Sequence, residues 1–419
     1  MPKVKIPIKM PIYQNIDEMA LSKFNAALID GYMDEEGNTY RRPGLTLWNN
    51  LGTGVKVDGL YWWKLKGYLV AVSGGKIFRV LTSGGAPVEI TGDTLLSGTR
   101  PVFCEDPARV FMANGGKIIH YNDAGTTIAM VDADAPINVT QIGWHDQYLV
   151  CNNVGTNQFH YSDVGNSLSW SALSYVLAES CPDDIGAINI AWREILLLGK
   201  DSAEIFWDDG VNPFSRLEGA FTERGCSAFY SLIFFDNTWH WLDHTRRFIR
   251  VDGRTPVVVS TPFDKIIQGY SVVSDCLSDL VEVSGRTFLV LSFPTVGKTL
   301  VFDYMLKNWY EWAYWNSITA QYERWLGNCV CYARDWNKWL VGSRVDGKIY
   351  EMSMSAQTDG GDTIRTLRRT GHVDHETMTR KRSHSVFLQL KRGVGLPSGS
   401  PSEVTGTDSN IYTCIRGHT

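Results

Sequence analysis

The stretch YLVAVSGGKIFRV, residues 68–80, decides the fold of this chain. Its first half is a short apolar run after Tyr68, and Ser73-Gly74-Gly75 supplies a tight turn. Its second half alternates polar and apolar residues in the manner of a partly buried strand. The stretch therefore predicts a β-hairpin. An isolated hairpin is only marginally stable in water, so this one needs neighbouring strands.

Six more segments of the same kind follow along the chain. Each has the pattern of a strand, a turn and a second strand. In the seven hairpins, including the one described above, the second strand begins near Lys76, Lys117, Asn157, Ala203, Arg247, Lys298 and Lys348. The spacing between successive starts is 40 to 51 residues. A period of about 40–50 residues with about four strands per unit is typical of β-propeller blades. The sequence predicts an all-β propeller of about seven blades, or of six if one unit is an accessory hairpin.

The composition supports a packed β protein and gives no overall reason to expect nucleic-acid binding. Of the 419 residues 44% are hydrophobic and 12% aromatic, which excludes disorder over most of the chain. The formal net charge is -5, so any basic surface has to be local. The eight cysteines are scattered without a CxxC pair, and we predict neither a metal site nor a cofactor.

The chain divides into four parts by composition. Residues 1–40 are interrupted by prolines and read as an extended N-terminal arm, residues 41–356 as the propeller, residues 357–395 as a short basic C-terminal β segment, and residues 396–419 as a flexible tail. The arm lacks the apolar run of a signal peptide, and no stretch has the roughly 20 apolar residues that span a bilayer. We therefore expect synthesis in the cytoplasm and no membrane contact.

The C-terminal segment is the most basic part of an otherwise acidic chain. Between Ile364 and Arg392 only Asp374 and Glu376 oppose the basic residues. This pattern predicts a surface for DNA phosphates or for an acidic protein partner, and the alternative is a solvated surface around the strand SVFLQL. The basic residues are Arg365, Arg368, Arg369, Arg380, Lys381, Arg382, Lys391 and Arg392.

Two features allow a carbohydrate-active alternative. Glu179, Asp183 and Asp184 offer the paired carboxylates that a glycosidase places about 5–9 Å apart, although the setting is also that of an ordinary acidic turn. Grouped tryptophans would suit either a sugar-binding platform or packing between blades, and packing is the favoured interpretation because large aromatic residues are mostly buried. These tryptophans are Trp62, Trp63, Trp239, Trp241, Trp309, Trp312 and Trp315.

No motif assembles a complete catalytic centre, and we predict that the protein is not an enzyme. His240 and His244 are four residues apart, but their segment reads as strand and turn. On a strand this spacing does not guarantee that both rings share a face, so a zinc site is not expected there.

Several short motifs spread along the chain indicate a protein family more specifically than the repeat does. Within residues 179–267 they are Pro182-Asp183, Trp192-Arg193, the turn from Gly199 to Glu204, Gly225-Cys226 and VVVSTPFDKII, and outside it they are RRPGL at residues 41–45 and TRKRSHSVFLQLKRGVG at residues 379–395. Together these segments resemble the packaged-DNA stabilisation proteins of short-tailed bacteriophages, also described as head-completion or tail-hub proteins. The resemblance runs from near residue 40 to near residue 395.

The resemblance implies structural work in the virion. Members of this family join the head–tail adaptor protein below the portal, close the channel after DNA packaging, and present a surface to the tail needle and to tailspikes or fibres. They assemble as rings, in the familiar cases hexamers. We accordingly expect a homo-oligomer in the tail or neck of the virion, with packaged DNA nearby but not read by sequence. The family continues past the VFLQL strand into further β structure, so the C-terminal module here is expected to be incomplete or replaced.

Overall fold

The computed structural model describes residues 27–181, 183–208, 210 and 213–369. In that part of the chain, five sheets have four strands and two have six. The first strands of neighbouring sheets pack against one another, as radially arranged blades do. The chain is a seven-bladed β-propeller, and the variant with six blades is wrong because each of the seven predicted hairpins belongs to a sheet of its own.

The blades are numbered along the chain, and their strands are given from the propeller axis outward. Blade 1 comprises Val57–Trp63, Tyr68–Ser73, Lys76–Val80 and Val88–Ile90. Blade 2 comprises Val102–Glu105, Val110–Ala113, Ile119–Tyr121 and Ile128–Ala129. Blade 3 comprises Ile142–His145, Tyr148–Asn152, Gln158–Asp163 and Asn166–Leu177. Blades 4 and 5 comprise Ala187–Ala191, Glu194–Leu198, Ala203–Trp207 and Ser215–Thr222; and Ile233–Phe235, Thr238–Leu242, Phe248–Asp252 and Thr255–Val258. Blades 6 and 7 comprise Leu277–Val283, Arg286–Phe293, Lys298–Asp303 and Asn308–Glu311; and Gly327–Ala333, Lys338–Ser343, Lys348–Ser353 and Gly44–Asn50.

The predicted hairpins are the second and third strands of every blade. In blade 1, Ser73 pairs with Lys76, so Gly74 and Gly75 form a two-residue loop. Both glycines have positive φ, 62° and 82°. Two consecutive positive φ values are what a type I′ hairpin turn requires, and glycine adopts them without a steric penalty.

Blade 7 closes the ring with strands from two distant parts of the chain. Its outer strand, Gly44–Asn50, precedes blade 1 and pairs antiparallel with Lys348–Ser353. Leu45 lies opposite Met352 in this ladder, and both side chains are buried. The pairing joins the two ends of the propeller and covers the edge of Lys348–Ser353, so blades 1 and 7 become neighbours.

Additional strands extend blades 6 and 7. Ala27–Ile29 lies beside the outer strand of blade 6 and pairs antiparallel with Leu367–Arg369. The remaining short elements are the hairpins Gly31–Met33 with Thr39–Arg41 and Ala313–Asn316 with Gln321–Arg324, the strands Thr358–Asp359 and Asp362–Thr363, the 3-10 helices Phe229–Ser231, Thr261–Phe263 and Arg334–Trp336, and the α-helix Asp264–Gln268.

The N-terminal boundary differs from the expectation. An extended arm is expected over residues 1–40, yet Ala27–Ile29 joins the sheet of blade 6 and Gly31–Met33 pairs with Thr39–Arg41 in a separate hairpin. Leu28 and Met33 are buried in the core between blades 6 and 7. Burial of these apolar side chains makes this stretch part of the propeller. The rest of the arm, most of the basic segment and the predicted tail over 396–419 lie outside the described residues.

The hydrophobic cores lie largely between neighbouring blades and are rich in aromatic residues. Trp63 packs with residues of blades 1 and 2, and Trp241 with residues of blades 4 and 5. Trp312 and Trp325 meet with ring centroids 5.4 Å apart. The prediction that the grouped tryptophans fill the core is confirmed for six of the seven, which are at most 5% exposed: Trp62, Trp63, Trp239, Trp241, Trp309 and Trp312.

Candidate interaction surfaces

A fully buried arginine holds three distant segments together beside the ring closure. The Arg42 guanidinium donates through Nε to Asp30 Oδ1 at 2.6 Å and through Nη2 to the Ala313 carbonyl at 2.7 Å. It also binds both carboxylate oxygens of Asp359, with Nη1 3.0 Å from Oδ1. We call Asp30, Arg42, Ala313 and Asp359 the Arg42 clasp. It connects the N-terminal strands, the segment after blade 6 and the segment after blade 7.

The charges of the clasp are shielded from water. Burial raises the pKa of Asp30 to about 6, although Arg42 and a hydrogen bond from the Ala313 N–H act in the opposite direction. The two carboxylates raise the pKa of Arg42 above its ordinary value. Because both acids lie against one guanidinium, the removal of Arg42 would leave two carboxylates buried without a cation.

The residues on either side of Arg42 complete this junction. Arg41 donates to the carbonyls of Ala356 at 2.8 Å and of Gln357 at 3.1 Å. A Cβ on Gly44 would lie 2.5 Å from the Ala356 oxygen, so a side chain does not fit there. The RRPGL motif therefore fastens the segment that follows blade 7 onto the closing strand.

The predicted basic surface is only partly within the described residues. The Arg365 guanidinium lies 4.0 Å from the ring centroid of Trp315, and the Arg365 carbonyl accepts a hydrogen bond from Tyr322 Oη at 3.0 Å. Arg368 donates to Thr39 Oγ1 at 2.8 Å, and burial lowers its pKa. Arg369 lies in the strand that pairs with Ala27–Ile29. The other five, Arg380, Lys381, Arg382, Lys391 and Arg392, lie outside the described residues.

Arg365 and Arg368 thus have structural contacts in addition to their charge. Each contacts a side chain of another segment, and so they help to hold the C-terminal strand in place. Their assignment to a DNA or protein surface stays a prediction, because a guanidinium that stacks on a ring or bonds to a hydroxyl keeps its charge.

Trp192 is an exposed aromatic residue in a strained turn. It joins the first two strands of blade 4 with φ 54°, a left-handed value that is rare for a bulky side chain and costs roughly 1–2 kcal/mol. Its side chain is 64% exposed, and the ring meets Phe234 edge to face at 5.3 Å. Strain and exposure in one aromatic residue mark this turn as a candidate protein contact, since tryptophan is enriched among residues that dominate interfaces.

The carboxylates considered for glycoside cleavage do not converge on a cleft of their own. One oxygen of Asp183, Oδ2, accepts hydrogen bonds from the backbone N–H groups of Asp201 at 2.6 Å and Ser202 at 3.1 Å. This carboxylate is so close to Gly199 that a Cβ there would lie 2.2 Å from it. Glu179 and Asp184 are exposed. Asp183 therefore has the role of the acidic-turn interpretation, in which a carboxylate orders a loop.

The motifs around Asp183 meet in one structural junction. The Cys226 N–H donates to the Gly199 carbonyl at 2.9 Å, and a Cβ on Gly225 would lie 2.1 Å from the Lys200 oxygen. Glu204 accepts from the Ser180 N–H at 2.9 Å. The motif residues from Asp183 to Cys226 thus fix the loops that connect blades 3, 4 and 5.

The two histidines considered for zinc are separated by burial. His240 is fully buried and stacks on Phe235 with ring centroids 4.2 Å apart, whereas His244 is exposed. Burial lowers the pKa of His240 to about 4. Within the described ranges, no group of three or more His, Cys, Asp or Glu side chains is arranged to hold a metal ion. In the same part of the chain, none of the helices is both long enough and apolar enough to cross a membrane.

The clasp is the arrangement that the sequence did not reveal. Arg42 belongs to the RRPGL motif, to which the sequence assigns no separate role, and Asp30 falls within the expected arm. The proline and glycine after Arg42 indicate a tight approach of two backbones, but no local pattern shows that a charged residue is buried or which carboxylates it meets.

Comparison with known proteins gives one family match. The family model described as bacteriophage P22 Gp10, β-propeller, matches residues 26–357. No curated protein matches the chain. Among solved structures, the extracellular domain of BT4673 from B. thetaiotaomicron has 13% identity and a TM-score of 0.49, with 78% of this chain and 46% of that chain covered. The N-terminal domain of Nup159 has 11% identity and a TM-score of 0.44, with 78% and 99% covered.

A designed protein is also similar. The computationally designed Ika8 protein has 14% identity and a TM-score of 0.39, with 74% of this chain and 99% of that chain covered. Of the BT4673 domain, by contrast, this chain covers less than half. At these scores none of the three structural similarities carries an argument about function.

Proposed function

The chain belongs to the phage stabilisation family of β-propellers described by bacteriophage P22 Gp10, a family of phage structural proteins, and from that premise we propose that it seals the portal channel after DNA packaging. In this proposal it is a virion protein of the head–tail connector or tail hub, made in the host cytoplasm and located in the neck. The match over residues 26–357, which includes the whole propeller, is the observation that supports it.

A closed propeller suits a protein that holds others in place. The faces of its blades are covered by their neighbours and only short strand edges remain, which limits uncontrolled pairing, while exposed turns are left for defined contacts. The ring closure and the Arg42 clasp tie the first and last strands of the propeller together. A scaffold closed in this way can bear load without the separation of its first and last blades.

The proposed assembly is a homo-oligomeric ring, a hexamer as in the familiar members of the family. One face would contact the head–tail adaptor protein below the portal, and the other would present a surface to the tail needle and to tailspikes or fibres. Repetition around a ring multiplies modest interfaces into a persistent seal, provided that the geometry lets all of them form together. The exposed Trp192 is our candidate for one of these contacts.

The basic residues from Arg365 to Arg392 would face the adaptor or the DNA. Phosphate contacts by arginine and lysine are independent of base sequence and weaken steeply as salt rises. DNA near this surface would therefore be held by charge and not by sequence reading. Neutralisation of Arg380, Lys381 and Arg382 with glutamine should reduce the salt dependence of the interaction, whichever acidic partner is involved.

The test is a reconstitution with heads that are filled with DNA and capped with adaptor. Added protein should produce ring density at the tail vertex and protect the DNA from leakage, measured as the nuclease-resistant fraction. Trp192→Ala should leave the fold unchanged and weaken attachment about tenfold or more, as expected for an anchor residue worth roughly 1.4 kcal/mol or more.

The matched control is Trp207→Ala, which removes a tryptophan that is 37% exposed at the end of a strand of blade 4. This control should attach like the unmodified protein. If the protein neither binds capped heads nor retains DNA, the proposed sealing function is wrong. If it seals normally with Trp192→Ala, only the assignment of that contact fails.

A further inference from the structure

An open cleft lies between blades 6 and 7 and is lined by polar and aromatic side chains. Its volume is about 430 Å³, within the roughly 300–1,000 Å³ that is usual for such sites. The blade 6 side consists of Glu282, Gly285 and Thr287, and the blade 7 side of Tyr332, Asn337 and Trp339. We call it the blade 6–7 cleft. None of these residues belongs to the clasp or to the basic segment.

The blade 7 wall of the cleft is an ordered aromatic surface. Tyr332 and Trp339 lie opposite each other on adjacent strands, with ring centroids 4.9 Å apart and planes inclined by 35°. The Tyr332 hydroxyl donates to Asn337 Oδ1 at 2.6 Å, which fixes the phenol ring. Tyr332 is nevertheless 38% exposed. The cleft therefore offers ring faces in a defined position instead of two freely rotating side chains.

The blade 6 wall supplies polar groups that the protein itself does not use. Glu282 and Thr287 lie opposite each other across the first two strands of blade 6. Within the part of the chain that the structure describes, neither the Glu282 carboxylate nor the Thr287 hydroxyl has a hydrogen-bond or ion-pair partner. Because Asn337 Oδ1 accepts from Tyr332, the amide NH₂ of Asn337 remains as a donor.

We propose that the blade 6–7 cleft binds a neutral hexose ring of a glycan, stacked on Tyr332 and Trp339 and hydrogen-bonded to Glu282, Thr287 and Asn337. The combination of groups distinguishes this ligand from others. A sugar hydroxyl both donates and accepts, so it matches a carboxylate, a hydroxyl and an amide NH₂ together. A guanidinium has only donors and would oppose the Asn337 NH₂, whereas a phosphate would be repelled by Glu282.

The proposal goes beyond the sealing function and does not depend on it. The experiment is saturation-transfer NMR on the full-length protein, with the methyl glycosides of glucose, galactose, mannose and N-acetylglucosamine as probes. We expect at least one glycoside to bind with a dissociation constant on the order of 1 mM, which is common for a single shallow subsite. The affinity should fall at least tenfold in Tyr332→Ala, which removes the exposed ring, and in Glu282→Gln, which removes the charge but keeps the shape.

Two controls match these variants. Tyr175→Ala removes a tyrosine of nearly equal exposure, 37%, from a strand of blade 3, and Glu218→Gln neutralises an exposed glutamate on blade 4. Both should bind the glycoside normally. Circular dichroism establishes that each variant is folded, and Thr287→Val gives a further change on the opposite wall that should also weaken binding.

Three outcomes would overturn the proposal. The first is that no glycoside binds at concentrations up to roughly 50 mM, far above the expected dissociation constant. The second is that binding is unchanged in Tyr332→Ala. The third is that N-acetylarginine amide binds in a manner dependent on Tyr332 while the glycosides do not, which would make the cleft a site for a cationic side chain. DNA retention should be normal in Glu282→Gln, so this test and the sealing test can fail separately.

Discussion

Substitution of Arg42 by methionine should destabilise the propeller strongly. The change keeps an unbranched apolar stem but removes the guanidinium, so Asp30 and Asp359 lose their shared cation. Removal of one partner from a buried ion pair typically costs about 3–5 kcal/mol. The part of this loss that comes from Asp30 has an upper limit, because the variant can fold with Asp30 protonated and therefore uncharged. Protonation of a carboxyl with the ordinary pKa of 3.8 costs about 4.4 kcal/mol at pH 7.

This limit gives the prediction a pH dependence that a packing defect would not have. At pH 5 the same protonation costs only about 1.6 kcal/mol, so the variant should gain about 2.7 kcal/mol of stability between pH 7 and pH 5. The unmodified protein should gain about 1.3 kcal/mol over the same range because its folded Asp30 already has a raised pKa of about 6. The loss caused by Arg42→Met should therefore shrink by about 1–1.5 kcal/mol. The sign follows from the folded pKa of Asp30, which rises further once the cation is gone. The folded variant then binds a proton that the unfolded chain releases, and its stability relative to the unmodified protein increases as pH falls.

The assay is urea denaturation followed by tryptophan fluorescence at both pH values. The control is Arg254→Met, which breaks a surface pair with Glu194 in which two guanidinium nitrogens contact the carboxylate at 2.6 and 3.1 Å. That loss should be at most about 1 kcal/mol and nearly independent of pH over this range. Equal losses for the two variants, or no recovery at pH 5, would refute the reasoning.

Three further changes have definite expected outcomes. The unmodified protein should lose about 2–3 kcal/mol of stability between pH 7 and pH 4.5 through His240, because its folded pKa of about 4 lies below the ordinary 6.5 and protonation favours the unfolded chain. His240→Leu should abolish this part of the loss, and an unchanged pH dependence of the denaturation curves would contradict the prediction. Gly225→Ala should cost about 1–3 kcal/mol by thermal or urea unfolding because the new Cβ meets the Lys200 carbonyl, whereas Gly116→Ala, which enters open space, should cost less than about 1 kcal/mol; equal effects would count against the close approach. Asp183→Asn should lower stability by about 1–2 kcal/mol through weaker bonds to its turn and should change no glycan turnover; a loss of glycosidase activity in this variant would revive the catalytic alternative.

The blades were predictable because their information is local. The two-residue loop at Gly74 and Gly75, with a strand pattern on either side, specifies a hairpin without reference to the rest of the chain. Hairpins with longer loops recur in the other six blades at a spacing of 40 to 51 residues, and this period predicts radial packing. The outer strands were less visible, since an element such as Ile128–Ala129 has only two residues and no periodicity can be read from it.

Ring closure and the clasp depend on pairings that no local pattern contains. Gly44–Asn50 reads as a strand, but its partner Lys348–Ser353 lies about 300 residues away. Arg42 likewise stands in a sequence that is typical of an exposed turn, and only the folded structure shows that it is buried. The stacking of Arg365 on Trp315 is likewise a contact between distant residues that the charge pattern does not contain.

The pairing of Ala27–Ile29 with Leu367–Arg369 has a mechanical consequence. Ala27 lies directly opposite Arg369, so the chain enters and leaves the described part of the protein at the same end of one short ladder. A pull on both terminal segments would open this ladder like a zipper, bond by bond, and not shear it as a unit. Asp30, the residue after this strand, is bound by the buried guanidinium of Arg42, so tension on the N-terminal strand would then pass into the Arg42 clasp.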